Sequence, residues 1–483
     1  MASIVSDIVE QARLAGRAFA DFGSHLLHPT VRLGVTGLSG AGKTVFITAL
    51  VHGLVRGGRF PVFEALASGR IAGAKLSPQP DDAVPRFDYE RHLHAILNAR
   101  AWPESTRQIS ELRVVIDYQA ASGFMRTLTL DIVDYPGEWL LDLPLLTRSY
   151  EQWSVDVMSQ ARPHAQAEKF LAQASAVDPL AAAAESAAIE SARLFTAFLQ
   201  ACRNDRHSLS LVPPGRFLMP GELAGSPALT FAPLDVAPGG EPPSGSHWAM
   251  MRRRYDAYRE VVVRPFFREH FARLDRQIVL VDLLAALDAG PQGVRDLQDA
   301  LIAILDCFRV GRGGWLSPLF RPSADKILFA ATKADQLHHS AHDRLEVILQ
   351  RLTESARARA GDAGAEVDVI ALSAVRATRE ALLRGDDGGL PSIVGIAAPG
   401  ENAGGREFDG QTEIAVFPGD LPDDLRPLFD RERQPRSRRG QHEQFRAVRF
   451  RPPALEQVAD GVPALPHIRL DRALQFLIGD RLR

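Results

Sequence analysis

Apolar residues along the chain follow two rhythms: short unbroken runs, and longer stretches in which they recur every three or four positions. Val31–Thr36 (VRLGVT), ending at Gly37, is a short run and predicts a buried strand. Lys43–Arg56 follows with Val45, Phe46, Ala49, Leu50 and Leu54 at helical spacing. Pro85–Arg100 also reads as a helix. Ile109–Tyr118 and Arg126–Asp134 read as consecutive strands, and the short connection around Ala121–Gly123 predicts an antiparallel hairpin.

From Leu143 to Leu211 the pattern is helical and rich in alanine, including AAAAESAAIESARL. Val212–Ser246, dense in proline and glycine, predicts an irregular loop. His247–Arg276 predicts a long helix kinked at Pro265. Strand signals return at Ile278–Asp282, Ile327–Ala331 and Val367–Leu372, separated by helical stretches. This alternation predicts an α/β class with a mostly parallel sheet and flanking helices. Beyond Leu383, Ser392–Ala397, Glu413–Phe417 and Ala447–Phe450 read as short strands and Ile468–Leu482 as a final helix. The expected organisation is an N-terminal helix (1–30), a first sheet segment (31–137), a mainly helical insertion with a Pro-rich loop (138–276), a second sheet segment (277–383) and a small α+β extension (384–483).

Composition narrows the function classes. Lys plus Arg total 56 and Asp plus Glu 59, a net charge of −3, which excludes a global basic field for wrapping nucleic acid. Cys202 and Cys307 are the only cysteines, so a disulfide framework and a four-Cys zinc site are both excluded. No stretch approaches the roughly 18 apolar residues of a membrane span. The N-terminal segment lacks the pattern of a secretory signal and reads as a helix with Ile4, Val5, Ile8, Ala12 and Ala15 on one side, docked on the domain or resting on a membrane surface. A cytoplasmic protein, with peripheral contact to the inner membrane as an alternative, is the expectation. Met251–Arg276 is read as a solvated helix with acidic counter-charges or as a basic surface for anionic lipid or an acidic partner, and the second Arg cluster, Arg431–Arg451, as a polar loop where nucleic-acid contact is conceivable. Aromatic interleaving there is thin, and no specific nucleic acid is expected.

The chemistry concentrates in four motifs. Gly37-Leu-Ser39-Gly40-Ala41-Gly42-Lys43-Thr44 fits G-x-x-x-x-G-K-[ST] between a predicted strand and a predicted helix, the context that gives the motif meaning. Glycines let backbone N–H groups converge on phosphate oxygens, and the helix starting near Lys43 and Val45 adds its N-terminal partial charge. Lys43 is expected at the β- and γ-phosphates and Thr44 at Mg²⁺. Asp134-Tyr-Pro-Gly137 fits D-x-x-G at a strand end, with Asp134 toward Mg²⁺ and Gly137 toward the γ-phosphate. Thr332-Lys333-Ala334-Asp335 fits the [NT]-K-x-D guanine motif: a carboxylate accepts from both N1–H and the exocyclic amine of guanine, and adenine lacks that pair of donors. Ser373-Ala374, at the end of the next strand, fits the short motif that closes over guanine O6. Only five residues are Lys, and two of them, Lys43 and Lys333, fall on these motifs. His338, His339 and His342 follow the third motif and read as loop or helix histidines.

In this order the motifs resemble the translation-factor-like class of P-loop GTPases. The wider context (VTGLSGAGKTVFITALV, WPESTRQISELR, DYPGEWLLDLPLL, and IVLVD followed by ATKAD) resembles the YcjX-like family of bacterial P-loop proteins, from Val31 into the C-terminal region. The resemblance implies a P-loop NTPase fold with a helical insertion, binding of GTP and GDP with Mg²⁺, GTP hydrolysis, and an association with stress. It also points to a switch I threonine before the hairpin: Thr106, with Ser105 as the alternative. Glu138 occupies the position where many GTPases place the Gln that orients water. It either aligns water or simply opens the following helix, and slow unaided turnover is expected. A cis-acting arginine is nominated at Arg107 or Arg148. A protein effector or activator is expected to bind through the insertion. Two other readings stay open: an ATP-dependent P-loop enzyme with Asp131, Asp134 or Asp282 as its metal aspartate, and a GTP-binding scaffold with negligible hydrolysis.

Overall fold

The computed structural model describes residues 29–38, 40–104, 106, 108–204, 213–237, 239–306, 324–362, 364–385, 388–403, 406–429, 446–455 and 463–483. The N-terminal helix expected before residue 29, Ser39, Ser105, Arg107, Cys307 and the PRSRR part of the second Arg cluster lie outside these residues.

Seven strands form the central sheet: β1 (Thr30–Gly37), β2 (Ile71–Ser77), β3 (Ser110–Gln119), β4 (Met125–Asp134), β5 (Arg276–Val281), β6 (Lys326–Ala331) and β7 (Glu366–Ala371). Their order is β2-β3-β4-β1-β5-β6-β7. β1 lies parallel to both β4 and β5, and β6 and β7 continue in parallel. β3 and β4 form the expected antiparallel hairpin, Ser110 opposite Asp134. The parallel strands are apolar and buried because helices cover both faces; every residue of β5 is buried. The sequence pattern missed β2, a half-exposed edge strand whose IAGAKLS carries no alternation.

α1 spans Lys43–Arg56 as the spacing predicts and buries Phe46, Ile47, Leu50 and Leu54. The stretch read as a helix at Pro85–Arg100 is helical only from Tyr89 to Ala99, its last turn widened to π geometry. Within the insertion, Gly137–Thr147 is a 3₁₀ segment, followed by α2 (Tyr150–Ala161), whose capping box pairs Ser149 with Gln152, and α3 (Glu185–Asn204). The alanine run does not join α3. Ala183 N–H donates to Gly245 O, and the helix begins only at Glu185. The long helix expected from His247 is broken into α4 (His247–Tyr258), a π turn at Arg259–Val263 and a short helix at Arg264–Glu269. Pro265 has no N–H for the carbonyl four residues back, so the wider turn forms just ahead of it. An aromatic core holds the insertion together. Trp153 stacks on Tyr255 with centroids 5.2 Å apart and meets Phe195 and Phe231 edge-on.

Beyond β7, β8 (Arg379–Gly385), β9 (Gly388–Ile396) and Glu413–Val416 form a small antiparallel sheet. The strand expected at Ala447–Phe450 is only a single bridge from Ala397 to Phe450. The final helix, α5 (Leu470–Ile478), belongs to the main core. Leu470, Leu474, Leu477 and Ile478 pack in the same apolar cluster as Leu33, Phe46 and Leu50. Arg276 ties this helix to the sheet. It is 1% exposed, donates to Leu477 O at 3.0 Å, and pairs with Asp325 and Asp480 at 2.7 and 2.8 Å. Arg276→Met should destabilise the protein by about 2–3 kcal/mol, below the full cost of a broken buried pair because both acids keep some solvent contact. Urea unfolding checks this; an unchanged midpoint would show that the network contributes nothing net. Among the described residues no helix is long and apolar enough to cross a membrane.

Candidate functional site

β1 ends at Gly37, and the chain turns through Gly40 and Gly42 into α1. Both glycines adopt left-handed φ, 78° and 85°, where an L side chain is strained. A Cβ at either would meet no atom within 4 Å, so the loop encloses free space on this side. No side chain caps α1, and its first-turn amides stay available to an anion. Lys43 Nζ donates to Gly37 O at 2.6 Å and Leu38 O at 3.4 Å, folded over the loop. Burial lowers its pKa; Asp134 and Glu138 oppose that shift, and Arg203 adds to it.

Three of the expected metal-binding side chains meet beside Lys43. Thr106 Oγ1 donates to Asp134 Oδ2 at 2.7 Å and lies 3.3 Å from Thr44 Oγ1. Burial raises the Asp134 pKa to about 6, opposed by the Thr106 hydroxyl and by Lys43. Asp134 Oδ1 is buried with no hydrogen-bond partner. An acceptor left unpaired there, next to two hydroxyls, fits a hard cation with oxygen ligands such as Mg²⁺. The other two aspartates considered are committed elsewhere. Asp131 takes a two-pronged contact from Arg113 at 2.6 and 2.7 Å, and Asp282 pairs with Lys333 and caps the helix that follows it.

Across the sheet, Thr332, Lys333 and Asp335 follow β6 and line the same pocket, of about 250 Å³, as Gly40–Val45, Thr106, Ser373 and Ala374. Asp335 is buried, and its Oδ2 accepts from Ala377 N–H at 2.9 Å; burial raises its pKa and that N–H opposes the shift. Ser373 N–H is taken by Ile468 O at 3.0 Å. The sequence reading missed one wall, made by Trp102, Arg449 and Phe450. Trp102 Nε1 donates to Phe450 O at 2.6 Å, a contact across 348 positions that no local pattern announces. His338 and His339 both face Glu380, at 3.9 and 2.6 Å, while His342 bonds Ala334 O.

Gly137 leaves β4 and passes against the P-loop backbone: a Cβ there would lie 1.8 Å from Gly37 O. Glu138 is 5% exposed and forms an ion pair with Arg203 of α3, 3.0 Å apart. Neither sequence reading of Glu138 included that partner. Arg148, nominated as a cis-acting arginine, instead pairs with Asp156 at 3.1 Å and does not line the pocket.

A model of the YcjX-like family, DUF463, matches residues 31–482. The chain belongs to the YcjX-like family. Two relatives are full-length matches. The Ras-like GTPase YcjX of Escherichia coli (strain K12) is 38% identical over 474 residues, spanning 94% of this chain and 96% of that protein. The Ras-like GTPase YcjX of Shewanella oneidensis is 35% identical over 488 residues, 95% of this chain and 96% of that protein. Among solved structures, a chain of the signal recognition particle receptor SRb-GTP/SRX complex from Chaetomium thermophilum aligns with 71% of this chain and 91% of its own, at 14% identity and a TM-score of 0.24. Family membership and the strand order together make this a P-loop NTPase fold, with its pocket at the carboxyl ends of the parallel strands.

Proposed function

We propose that this YcjX-like protein binds GTP with Mg²⁺ and hydrolyses it to GDP and phosphate, acting as a molecular switch. The observation that supports this most is the convergence of the P-loop and the Thr332–Asp335 motif, far apart in sequence, on one pocket. P-loop amides and the α1 N-terminus hold the phosphates, and Lys43 Nζ exchanges its carbonyl partners for the β- and γ-oxygens. Thr44, Thr106 and Asp134 are the residues that would hold Mg²⁺, and a bound ion would supply positive charge to offset that of the phosphates. Asp335 accepts from the two guanine donors. Lys333 flanks the base, and Ala374 N–H is the donor for O6, since Ser373 N–H is already taken. Water attacks the γ-phosphorus, the bond to the β,γ-bridging oxygen breaks, and its electron pair stays on GDP.

Adenine offers no N1–H to Asp335, so the ATP reading leaves a buried carboxylate unmatched, a costly arrangement. Titration with labelled GDP, GTP and ATP tests the assignment, and tighter ATP binding overturns it. Single-turnover assays test hydrolysis; GTP binding without turnover would leave a scaffold. Chelation of Mg²⁺ should weaken GTP binding roughly tenfold or more, read in the same titration.

A further inference from the structure

The segment that follows β4 and passes the P-loop, Gly137–Thr147 (switch II), runs directly into the insertion. Glu138 through Leu143 are all buried. A Cβ on Gly215 would lie 1.8 Å from Glu138 O, and Trp139 Nε1 donates to Met219 O at 3.3 Å. The Arg216 guanidinium sits over the Trp139 ring at 3.1 Å. Asp142 accepts from Gly215 N–H at 2.6 Å and from the Tyr258 hydroxyl at 2.5 Å. In this family member the segment that senses the γ-phosphate is therefore covered by its own chain.

One residue of that cover reaches Glu138, whose neighbour Gly137 abuts the phosphate loop, although neither Arg203 nor Glu138 lines the pocket itself. Arg203, in the last turn of α3, pairs with Glu138, and Glu138 follows the glycine that touches Gly37 O, the same oxygen that receives Lys43 Nζ. Arg203 keeps 29% of its side chain exposed, whereas Glu138 keeps 7%. The carboxylate is the more enclosed member of the pair and the guanidinium the more solvent-accessible one.

We propose that Arg203 is the arginine that stabilises the transferring γ-phosphoryl group, supplied in cis by the insertion, and that Glu138 is its positioning residue. This rests on the GTP-hydrolysis reading above. A guanidinium has five N–H donors in a planar fork, enough to keep Glu138 while a second edge turns to an equatorial γ-oxygen. Charge grows on those oxygens in the transition state, which is where a cation lowers the barrier. The pairing also accounts for Glu where many GTPases carry Gln. An isolated carboxylate beside that charge would repel it, but one already neutralised by Arg203 does not, and it grips a guanidinium more firmly than an amide can.

The full chain is tested as the variants Arg203→Ala, Arg203→Lys and Glu138→Ala and the double variant, with single-turnover GTP hydrolysis, GDP affinity, and retention of GDP by aluminium fluoride, a mimic of the transferring group. Arg203→Ala should slow hydrolysis on the order of 10³-fold and abolish fluoride-dependent retention, with GDP affinity unchanged. Arg203→Lys should recover part of the rate. Glu138→Ala should slow hydrolysis less, and the double variant should be no slower than Arg203→Ala alone. Should Arg203→Ala fail to fold, Arg203→Lys carries the same readouts. Parent-like hydrolysis and fluoride retention in the Arg203 variants, with an active parent, would sink this proposal alone. A parent with no GTP turnover would sink the hydrolysis reading and this proposal with it.

Discussion

Asp335→Asn should weaken GTP binding on the order of 10³-fold and raise the affinity for xanthosine triphosphate. The buried carboxylate offers two acceptor oxygens, and guanine presents two donors to them. Ala377 N–H, 2.9 Å from Oδ2, fixes how an amide must sit: its oxygen replaces Oδ2 and its NH₂ replaces Oδ1. That NH₂ would face guanine donors with a donor of its own, and a buried site mismatched in this way rejects its ligand by several orders of magnitude. Xanthine carries a carbonyl in place of the guanine amino group and so restores one complementary pair. Competition titrations with both triphosphates give the ratio directly. A ratio equal to that of the parent would remove Asp335 from base recognition.

Gly137→Ala should slow single-turnover hydrolysis at least on the order of 10²-fold while leaving GDP binding nearly intact. The new Cβ would lie 1.8 Å from Gly37 O, 2.7 Å from Gly37 C and 3.0 Å from Leu38 Cα, all backbone atoms of the P-loop. No side-chain rotation relieves that overlap, so switch II must move away by an ångström or more. Displacement of that size at a reacting centre costs on the order of 10²-fold in rate. The same crowding should destabilise the fold by about 1–3 kcal/mol, measurable in urea. GDP lacks the γ-phosphate toward which Gly137 faces in the proposed mechanism, and the P-loop amides and α1 are expected to hold its phosphates without it. Parent-like hydrolysis would show that close contact between switch II and the P-loop is dispensable.

Much of the architecture was legible because it is local. β1 and α1 are marked by an apolar run and a helical spacing on either side of a glycine-rich turn, and α1 has the boundaries its spacing implies. The β3–β4 hairpin follows from two strand patterns and a short connection. Edge strand β2 was not legible, since its outward face is in water and imposes no alternation. The alanine run after Leu180 illustrates the opposite failure. Its propensity is helical, but backbone pairing of Ala183 to Gly245 takes it for a turn against the start of α4. Such long-range pairing outweighs a preference of a few tenths of a kcal/mol per residue.

The candidate site divides along the same line. Sequence alone located the G-x-x-x-x-G-K-T and T-K-x-D motifs and nominated Gly137 and Thr106 as switch residues, because each pattern needs particular residue types at fixed short spacing. It also determined that Lys, rare in this chain, stands at positions 43 and 333. Tertiary structure decided which aspartate faces Thr44 and Thr106: Asp134, with Asp131 held by Arg113 and Asp282 by Lys333. It decided that Trp102 and Phe450 share a wall and that α5 belongs to the central core. It also brought Arg203 to Glu138 across 65 positions, a distance in sequence at which no periodicity operates. Spacing encodes what one turn or one strand can arrange by itself. Partners supplied by another element are set only when the sheet and the insertion pack, since burial is what then compels a charged or polar group to find its counterpart.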